Sequence, residues 1–196
     1  MSTAAEPREL RIALLGAGTV GAAVARAIAA RAGEWPLSIA GIAVRNREKA
    51  RAAGFEQIAP ITVDALGLAA STDVDVVVEL MGGIDPAFAC VESALLVGRP
   101  VVTANKLLLA THGAQLEATA RNSGAALRFE SAVAAGVPVI SVLAKDLAAN
   151  EISLIRGIVN GTTNYILTKM ESEGWTYDRA LGEAQKIGYA EADPRS

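Results

Sequence analysis

The chain has 196 residues, of which 52% are hydrophobic, 20% are charged and only 4% are aromatic. This length and composition allow a buried core, which excludes an intrinsically disordered protein. The 18 Lys and Arg residues against 21 Asp and Glu residues give a net charge of −3 without a basic cluster, which argues against a nucleic-acid surface built on phosphate contacts.

Up to about residue 130, short apolar runs alternate with longer amphipathic or alanine-rich segments. The apolar runs predict strands, and they lie at residues 10–15, 37–44, 74–80, 100–103 and 126–130. Helices are predicted after the first run as far as Gly33, from Pro86 to residue 97, and at residues 114–122. Strands that alternate with helices predict an α/β fold, a Rossmann doubly wound parallel sheet over residues 10–133 that follows a flexible N-terminus at residues 1–9.

Beyond residue 130 the pattern changes. Residues 137–147 have a helical pattern, residues 152–159 (ISLIRGIV) have the pattern of a strand from another layer, and two helices are predicted after them, one ending near residue 173 and one at 178–187. We therefore expect residues 134–196 to begin a second domain of the α+β class, incomplete here, that contributes to substrate binding and dimerisation.

A glycine-rich turn lies between the first predicted strand and the first predicted helix. Its sequence is Gly16-Ala17-Gly18-Thr19-Val20-Gly21, the G-x-G-x-x-G pattern of dinucleotide-binding folds. The first glycine permits the tight turn, the second lets the backbone approach a pyrophosphate, and the third allows the helix to pack closely on the strand. We predict that these six positions bind a dinucleotide; an empty structural turn is the alternative.

The end of the second predicted strand bears on the choice between NAD and NADP. The chain reads Val44-Arg45-Asn46-Arg47 there, with no acidic residue before Glu48. An acid at this place would bind the ribose 2′-hydroxyl of NAD, whereas an arginine can bind a 2′-phosphate. Arg45 therefore favours NADP, with NAD as the less favoured cofactor and a solvated basic helix start as the structural alternative.

Further segments, in chain order, resemble homoserine dehydrogenase. They are VVELMGG (77–83), VVTANKLLLATHG (101–113), FESAVAAGVPVI (129–140), GIVNGTTNYIL (157–167) and AQKIGYAEADP (184–194). The resemblance implies NAD(P)-dependent interconversion of L-aspartate 4-semialdehyde and L-homoserine, on the route to threonine and methionine.

The resemblance also implies roles for particular residues. Thr103 is expected near the nicotinamide ribose, and Lys106 in the cleft, where it touches cofactor and substrate and supplies a cation to the reacting oxygen. Gly188 is expected to approach the cofactor, Glu191 to pair with the substrate ammonium group, and Thr162 to lie near the substrate. From the residues alone, Lys106 is a solvated lysine at a helix start, the segment from Gly188 is a polar turn, and the segment of Thr162 is a helix cap.

A monovalent cation, usually sodium, is implied as well. The residues that match the cation-binding loop of the family are Glu130, Val133, Ala135 and Val137. Their alternate spacing suits backbone carbonyls turned toward one ion, and a carboxylate would balance the charge. Without the family, this segment is a strand-to-helix loop with Glu130 near the helix start.

Further expectations rest on features that are not found in the sequence: a membrane-spanning segment, an export signal, and the residues of a disulfide or a zinc site. The longest apolar run, residues 132–140, is shorter than the roughly 20 residues that cross a bilayer, and no export signal is recognisable at the start. A cytoplasmic protein with a small-molecule substrate is expected, a homodimer in its full-length form. Cys90 is expected in the core and His112 at a helix end, because one cysteine and one histidine form neither a disulfide nor a zinc site.

The sequence stops inside the motif that begins at Gly188. By resemblance this motif continues to further aspartates and a proton-transferring lysine, so we expect an N-terminal portion of the enzyme that is inactive alone. Two alternatives stay open: a short protein that binds NADP without catalysis, and a different two-domain amino-acid dehydrogenase, which the ANK and GTTNY segments fit less well.

Overall fold

The computed structural model describes residues 8–134, 136–158 and 160–190. Most of the expected flexible N-terminus, residues 1–7, lies outside them. The chain divides into two compact units, Met1–Val142 and Leu143–Ser196, which are described separately below.

The first unit is built from strands that alternate with helices. Its strands are β1 (Leu10–Leu15), β2 (Leu37–Ala43), β3 (Ile61–Thr62), β4 (Val76–Glu79), β5 (Val101–Thr103) and β6 (Leu127–Arg128). Its helices are α1 (Thr19–Ala30), α2 (Arg47–Ala52), α3 (Ala65–Ala70), α4 (Ala87–Leu96) and α5 (Lys106–Ser123), and single 3₁₀ turns lie at Phe55–Gln57 and Glu130–Ala132.

The strands form one six-stranded sheet in the order β3-β2-β1-β4-β5-β6, and every neighbouring pair is parallel. The chain therefore builds outward from β1 to β3, returns to the middle and builds outward again from β4 to β6. The prediction of a doubly wound α/β fold is confirmed. The order reverses between β1 and β4, and ligands bind such sheets at the carboxyl ends of the strands beside this reversal.

The core lies on both faces of the central strands. Leu14 of β1 packs with Ile42 and Phe55 on one face, whereas Leu15 and Val77 pack on the other face, against α4 and α5. These side chains are almost entirely buried, and each buried Leu or Ile contributes about 1.5–3 kcal/mol of transfer free energy. The buried strands β1 and β4 therefore form a stable base for a site at their carboxyl ends.

Several element boundaries differ from the sequence predictions. No element was predicted for the region that contains α2, β3 and α3. The helix predicted at 114–122 begins earlier, at Lys106, because the Asn105 side chain accepts a hydrogen bond from the Leu108 N–H (3.1 Å) and caps α5. The prediction that His112 ends a helix is wrong, since it lies inside α5 with its ring 4.5 Å from that of Phe88.

The second unit contains α6 (Gly161–Glu173) and α7 (Tyr177–Lys186). They pack through Ile166, Ala180 and Ala184. The strand predicted at 152–159 is wrong for its described residues, 152–158, which form no strand because no described segment pairs with them. Of the helix predicted at 137–147, Val142–Asp146 forms a short π-helix. None of the described helices is both long and apolar enough to cross a membrane.

Candidate cofactor site

Two positions of the glycine turn between β1 and α1 leave no room for a side chain. Gly16 has a φ of +100°, and a Cβ there would lie 2.7 Å from the Leu80 carbonyl oxygen. A Cβ at Gly21 would lie 2.0 Å from the Gly16 carbonyl oxygen. Both positions require glycine, the first because of its conformation and the second because α1 begins directly against the turn.

Gly18, between them, faces open space. A Cβ added there would meet nothing within 4 Å. Gly18 is the N-cap of α1 and offers no side-chain cap, so the first N–H groups of the helix, around Thr19 and Val20, are available to an anion. The open side of the turn therefore suits a phosphate group.

This turn opens onto a cavity of about 580 Å³, within the range of small-molecule sites. The cavity lies at the carboxyl edge of the sheet, where the turn after β1 and the segments after β2 and β4 meet. Its lining includes Gly16, Ala17, Gly18, Arg45, Lys49, Leu80, Met81 and Asp85.

The β2 end of the cavity carries two cations. Arg45 follows β2, and Lys49 lies in α2, whose start is capped by the Asn46 side chain (Oδ1 to Lys49 N, 2.8 Å). Both side chains are exposed and line the cavity, and within the described part of the chain neither forms an ion pair. Lys49 was not predicted from the sequence, although a second cation four residues after Arg45 was an available signal.

A buried polar network lies at the ends of β4 and β5. The Glu79 carboxylate, 0% exposed, accepts hydrogen bonds from the Met81 N–H (2.8 Å) and the Thr103 hydroxyl (2.6 Å). The Thr103 oxygen accepts one from the Asn105 N–H (3.1 Å), and the Asn105 amide donates to the Gly83 carbonyl (2.6 Å). The Thr103 side chain is thus turned inward. Glu79 and Asn105 were not predicted from the sequence.

Lys106 is the first residue of α5 and is exposed. It follows the buried Asn105 and lies at the carboxyl end of β5, on the edge that carries the glycine turn. Among the described residues it has no ion-pair partner. A lysine in the first turn is mildly unfavourable for the helix, and it is available to an anionic or polar ligand.

Glu130 closes the loop that follows β6. Its two carboxylate oxygens accept hydrogen bonds from the N–H groups of Ile140 and Ser141, both at 2.9 Å. Val133 is extended, Ala134 has a φ of +56°, and Val137 is exposed. Ala135 lies outside the described residues. No cluster of three His, Cys, Asp or Glu side chains occurs in the described ranges, so a cation here would depend on backbone carbonyls.

In the second unit, the start of α6 lies against the segment that follows α7. The Asn160 side chain caps α6 by accepting from the Thr163 N–H (2.8 Å), which leaves the Thr162 hydroxyl to donate to the Tyr189 carbonyl. Gly188 ends α7 with a φ of +78°. The structure thus brings Thr162 close to the Gly188 turn, whereas Glu191 lies outside the described residues.

Two protein-family models match this chain. Residues 16–130 match the family model described as the NAD-binding domain of homoserine dehydrogenase. The chain belongs to the homoserine dehydrogenase family. A second model, described as homoserine dehydrogenase, matches residues 138–196. The resemblance stated from the sequence motifs is confirmed, and the matched NAD-binding domain agrees with the nicotinamide cofactor expected.

Individual homoserine dehydrogenases are similar over nearly all of this chain. The enzyme of Corynebacterium glutamicum is 46% identical over 93% of the chain and 42% of its own length. That of Lactococcus lactis is 40% identical over 94% of the chain and 45% of its own length. The chain thus spans less than half the length of these curated relatives.

Solved homoserine dehydrogenases share the fold. The structure from Thiobacillus denitrificans has a TM-score of 0.86 and 40% identity, over 94% of this chain and 44% of that one. A hyperthermophilic archaeal homoserine dehydrogenase in complex with NADPH has a TM-score of 0.79 and 31% identity, over 94% of this chain and 63% of that one. The α/β fold is therefore that of the family.

Proposed function

We propose that this chain is the cofactor-binding portion of a homoserine dehydrogenase, which interconverts L-aspartate 4-semialdehyde and L-homoserine with NADP(H). The observation that carries the proposal is the glycine turn, whose open side faces a cavity of about 580 Å³ inside the region matched by the NAD-binding family model. In this proposal residues 10–133 form the cofactor domain and residues 134–196 begin the catalytic domain.

The preference for NADP rests on the charge at the β2 end of the cavity. Arg45 and Lys49 both line it, whereas Glu48, the first acid after β2, is not among the residues that line the cavity. Two cations can share a 2′-phosphate, and hydrogen bonds to a charged group contribute about 1.5–3 kcal/mol each. NADPH is therefore proposed to bind more tightly than NADH.

The reaction needs a hydride donor, which NADPH supplies when bound, and a group that stabilises charge on the aldehyde oxygen. Lys106 is proposed for the second task because it is exposed at the β5 end of the sheet edge and has no competing ion pair in the described part of the protein. The Glu191 carboxylate is proposed to hold the substrate ammonium group, with Thr162 nearby and with Gly188 allowing close approach of the cofactor.

A monovalent cation, sodium by preference, is proposed at the loop of Glu130, Val133, Ala135 and Val137. The donor chemistry fits, because carbonyl and carboxylate oxygens are the hard ligands that such an ion requires. Each Glu130 oxygen accepts one backbone hydrogen bond and keeps a further lone pair. The role of the ion would be to fix the loop. A cytoplasmic, homodimeric full-length enzyme completes the proposal and rests on the resemblance alone.

Two measurements on the same sample test this function. NADPH binding is titrated by cofactor fluorescence, and NADPH oxidation is followed after addition of aspartate semialdehyde. We expect saturable binding that is tighter for NADPH than for NADH. Turnover by this chain would show that it also contains a competent proton donor, such as Lys106. A chain that binds neither cofactor contradicts the proposal.

A further inference from the structure

Glu79 is a charged residue in an otherwise apolar strand. It ends β4, faces Thr103 of β5 on one side and Leu15 of β1 on the other, and its side chain is 0% exposed. No cation pairs with it among the described residues. A carboxylate in this position is costly unless its oxygens are fully hydrogen-bonded, so its presence calls for a role that an apolar residue could not fill.

The hydrogen bonds of Glu79 join the two segments that follow β4 and β5. One carboxylate oxygen holds the Met81 N–H and the other the Thr103 hydroxyl. Thr103 then holds the Asn105 N–H, and the Asn105 amide returns to the Gly83 carbonyl of the first segment. The same Asn105 caps α5 and so fixes the helix start at which Lys106 lies.

These segments belong to one half of the cofactor site. A doubly wound sheet binds a dinucleotide across its reversal point, with one mononucleotide on each half. The β1–β3 half carries Arg45, proposed above for the adenosine 2′-phosphate. The β4–β6 half, which Glu79 ties together, is then the half that receives the nicotinamide nucleotide.

The chemistry of the contacts explains why the residue is an acid. Both neighbours of the Glu79 side chain are donors, a backbone N–H and a hydroxyl, and a carboxylate offers an acceptor oxygen to each of them. Glutamine would present its NH₂ group to one of them. Turned toward Thr103, this group would leave the Thr103 hydroxyl proton without its acceptor; turned toward Met81, it would oppose the Met81 N–H, another donor.

We propose that Glu79 is a positioning residue for the nicotinamide half of the cofactor: through Thr103 and Asn105 it holds the Met81–Gly83 segment and the start of α5 in register. The inference rests on the proposed function, and it assigns to Glu79 no contact with the reacting atoms. Its consequence is selective, because loosening these segments should weaken binding of the nicotinamide end and leave the adenosine end unaffected.

The test compares two ligands on the full chain. NADPH reports both halves of the site, and adenosine 2′,5′-bisphosphate reports the adenosine half alone. The variants are Glu79→Gln, Thr103→Val and Thr103→Ser, with Glu92→Gln as a control that makes the same chemical change on α4, at a side chain bonded to Gln115. Melting temperatures are recorded for each variant.

We expect Glu79→Gln and Thr103→Val to weaken NADPH binding by about tenfold while changing the bisphosphate affinity by less than about twofold. Thr103→Ser, which keeps the hydroxyl, should recover most of the NADPH affinity that Thr103→Val loses, and Glu92→Gln should bind both ligands like the wild type. The Thr103 pair carries the test if Glu79→Gln does not fold. Equal weakening of the binding of both ligands, or an unchanged NADPH affinity, contradicts the role of Glu79 but not the proposed function. A wild-type chain that binds neither ligand overturns the proposed function and this inference with it.

Discussion

Gly21→Ala should lower the stability of this protein, whereas Gly18→Ala should lower its affinity for the cofactor, although both glycines lie in the turn between β1 and α1. At Gly21 the new Cβ would lie 2.0 Å from the Gly16 oxygen, and real Cβ atoms essentially never approach closer than 3.0 Å. The helix start must therefore move by about 1 Å. At Gly18 the Cβ meets nothing within 4 Å, and its φ of −70° and ψ of −161° suit alanine.

The magnitudes follow from these contacts. Overpacking costs about 1–3 kcal/mol, and the backbone carbonyl at Gly16 cannot rotate away as a side chain could. The gain in helix propensity from Gly to Ala returns at most about 1 kcal/mol. With the cost therefore at the upper end of its range, about 3 kcal/mol, Gly21→Ala should lose about 2 kcal/mol of unfolding free energy, a fall in melting temperature of about 4–8 °C for a chain of this size. Gly18→Ala should stay within about 1 kcal/mol of the wild type.

Cofactor affinity should fall in Gly18→Ala, the variant whose stability is maintained. The Gly18 methyl would occupy the open side of the turn from which a pyrophosphate approaches, so NADPH affinity should fall by about tenfold or more. Thermal unfolding and NADPH titration are the assays. Gly113→Ala is the control, because its Cβ would meet only Leu109 carbons, at 3.8 Å and beyond. An unchanged melting temperature for Gly21→Ala, or unchanged NADPH affinity for Gly18→Ala, refutes this reasoning.

Arg45→Ala should lower the ratio of NADPH to NADH affinity by about tenfold or more, measured by titration with both cofactors; an unchanged ratio would remove Arg45 from the 2′-phosphate site. Lys106→Met should abolish turnover in the intact enzyme while the melting temperature is maintained, and near-wild-type activity would contradict its role. Replacing sodium by choline at constant ionic strength should lower the melting temperature if the Glu130 loop holds the ion; insensitivity counts against the cation. Burial, with smaller contributions from nearby acids, raises the pKa of the Cys90 thiol to about 11, so at pH 8 only about one thiol in a thousand is ionised. Native protein should resist a thiol reagent that labels unfolded protein, and rapid native labelling would show that the thiol is accessible.

The sequence contained enough information for the centre of the fold. The predicted strand at residues 10–15 matches β1, because its buried residues, 12–15, form a continuous apolar run and the glycine turn ends that run. The same reasoning missed β3, which is two residues long. So short an edge strand has no pattern of its own and forms only because β2 offers it a neighbour.

The network around Glu79 shows why part of the site could not be predicted. A single acid in the run VDVVVEL gives no sign of whether it faces solvent or a buried hydroxyl from a strand more than twenty residues away. The pairing of Glu79 with Thr103 arises from the register of β4 on β5, which is a property of the assembled sheet. Lys49 is a similar case, because it lines the same cavity as Arg45 only through the way α2 begins after β2.

At residues 152–158, in contrast, the apolar composition predicted a strand that does not form. Apolar, β-branched residues favour a strand only where another strand can accept their backbone hydrogen bonds. Ile155 and Ile158 are instead exposed, at 65% and 72%, and the described residues of the second unit provide α6 and α7 but no strand to pair with.

The central claim is that a nicotinamide dinucleotide binds at the carboxyl edge of the sheet, across the glycine turn. The most direct measurement is an amide NMR titration of the full chain with NADPH, which reports where the ligand lies. We expect saturable shifts at Gly16–Gly21, at Arg45–Lys49 and at Met81–Gly83, with NADH leaving the Arg45–Lys49 signals less affected. Shifts confined to other parts of the chain, or no saturable shifts, would contradict it.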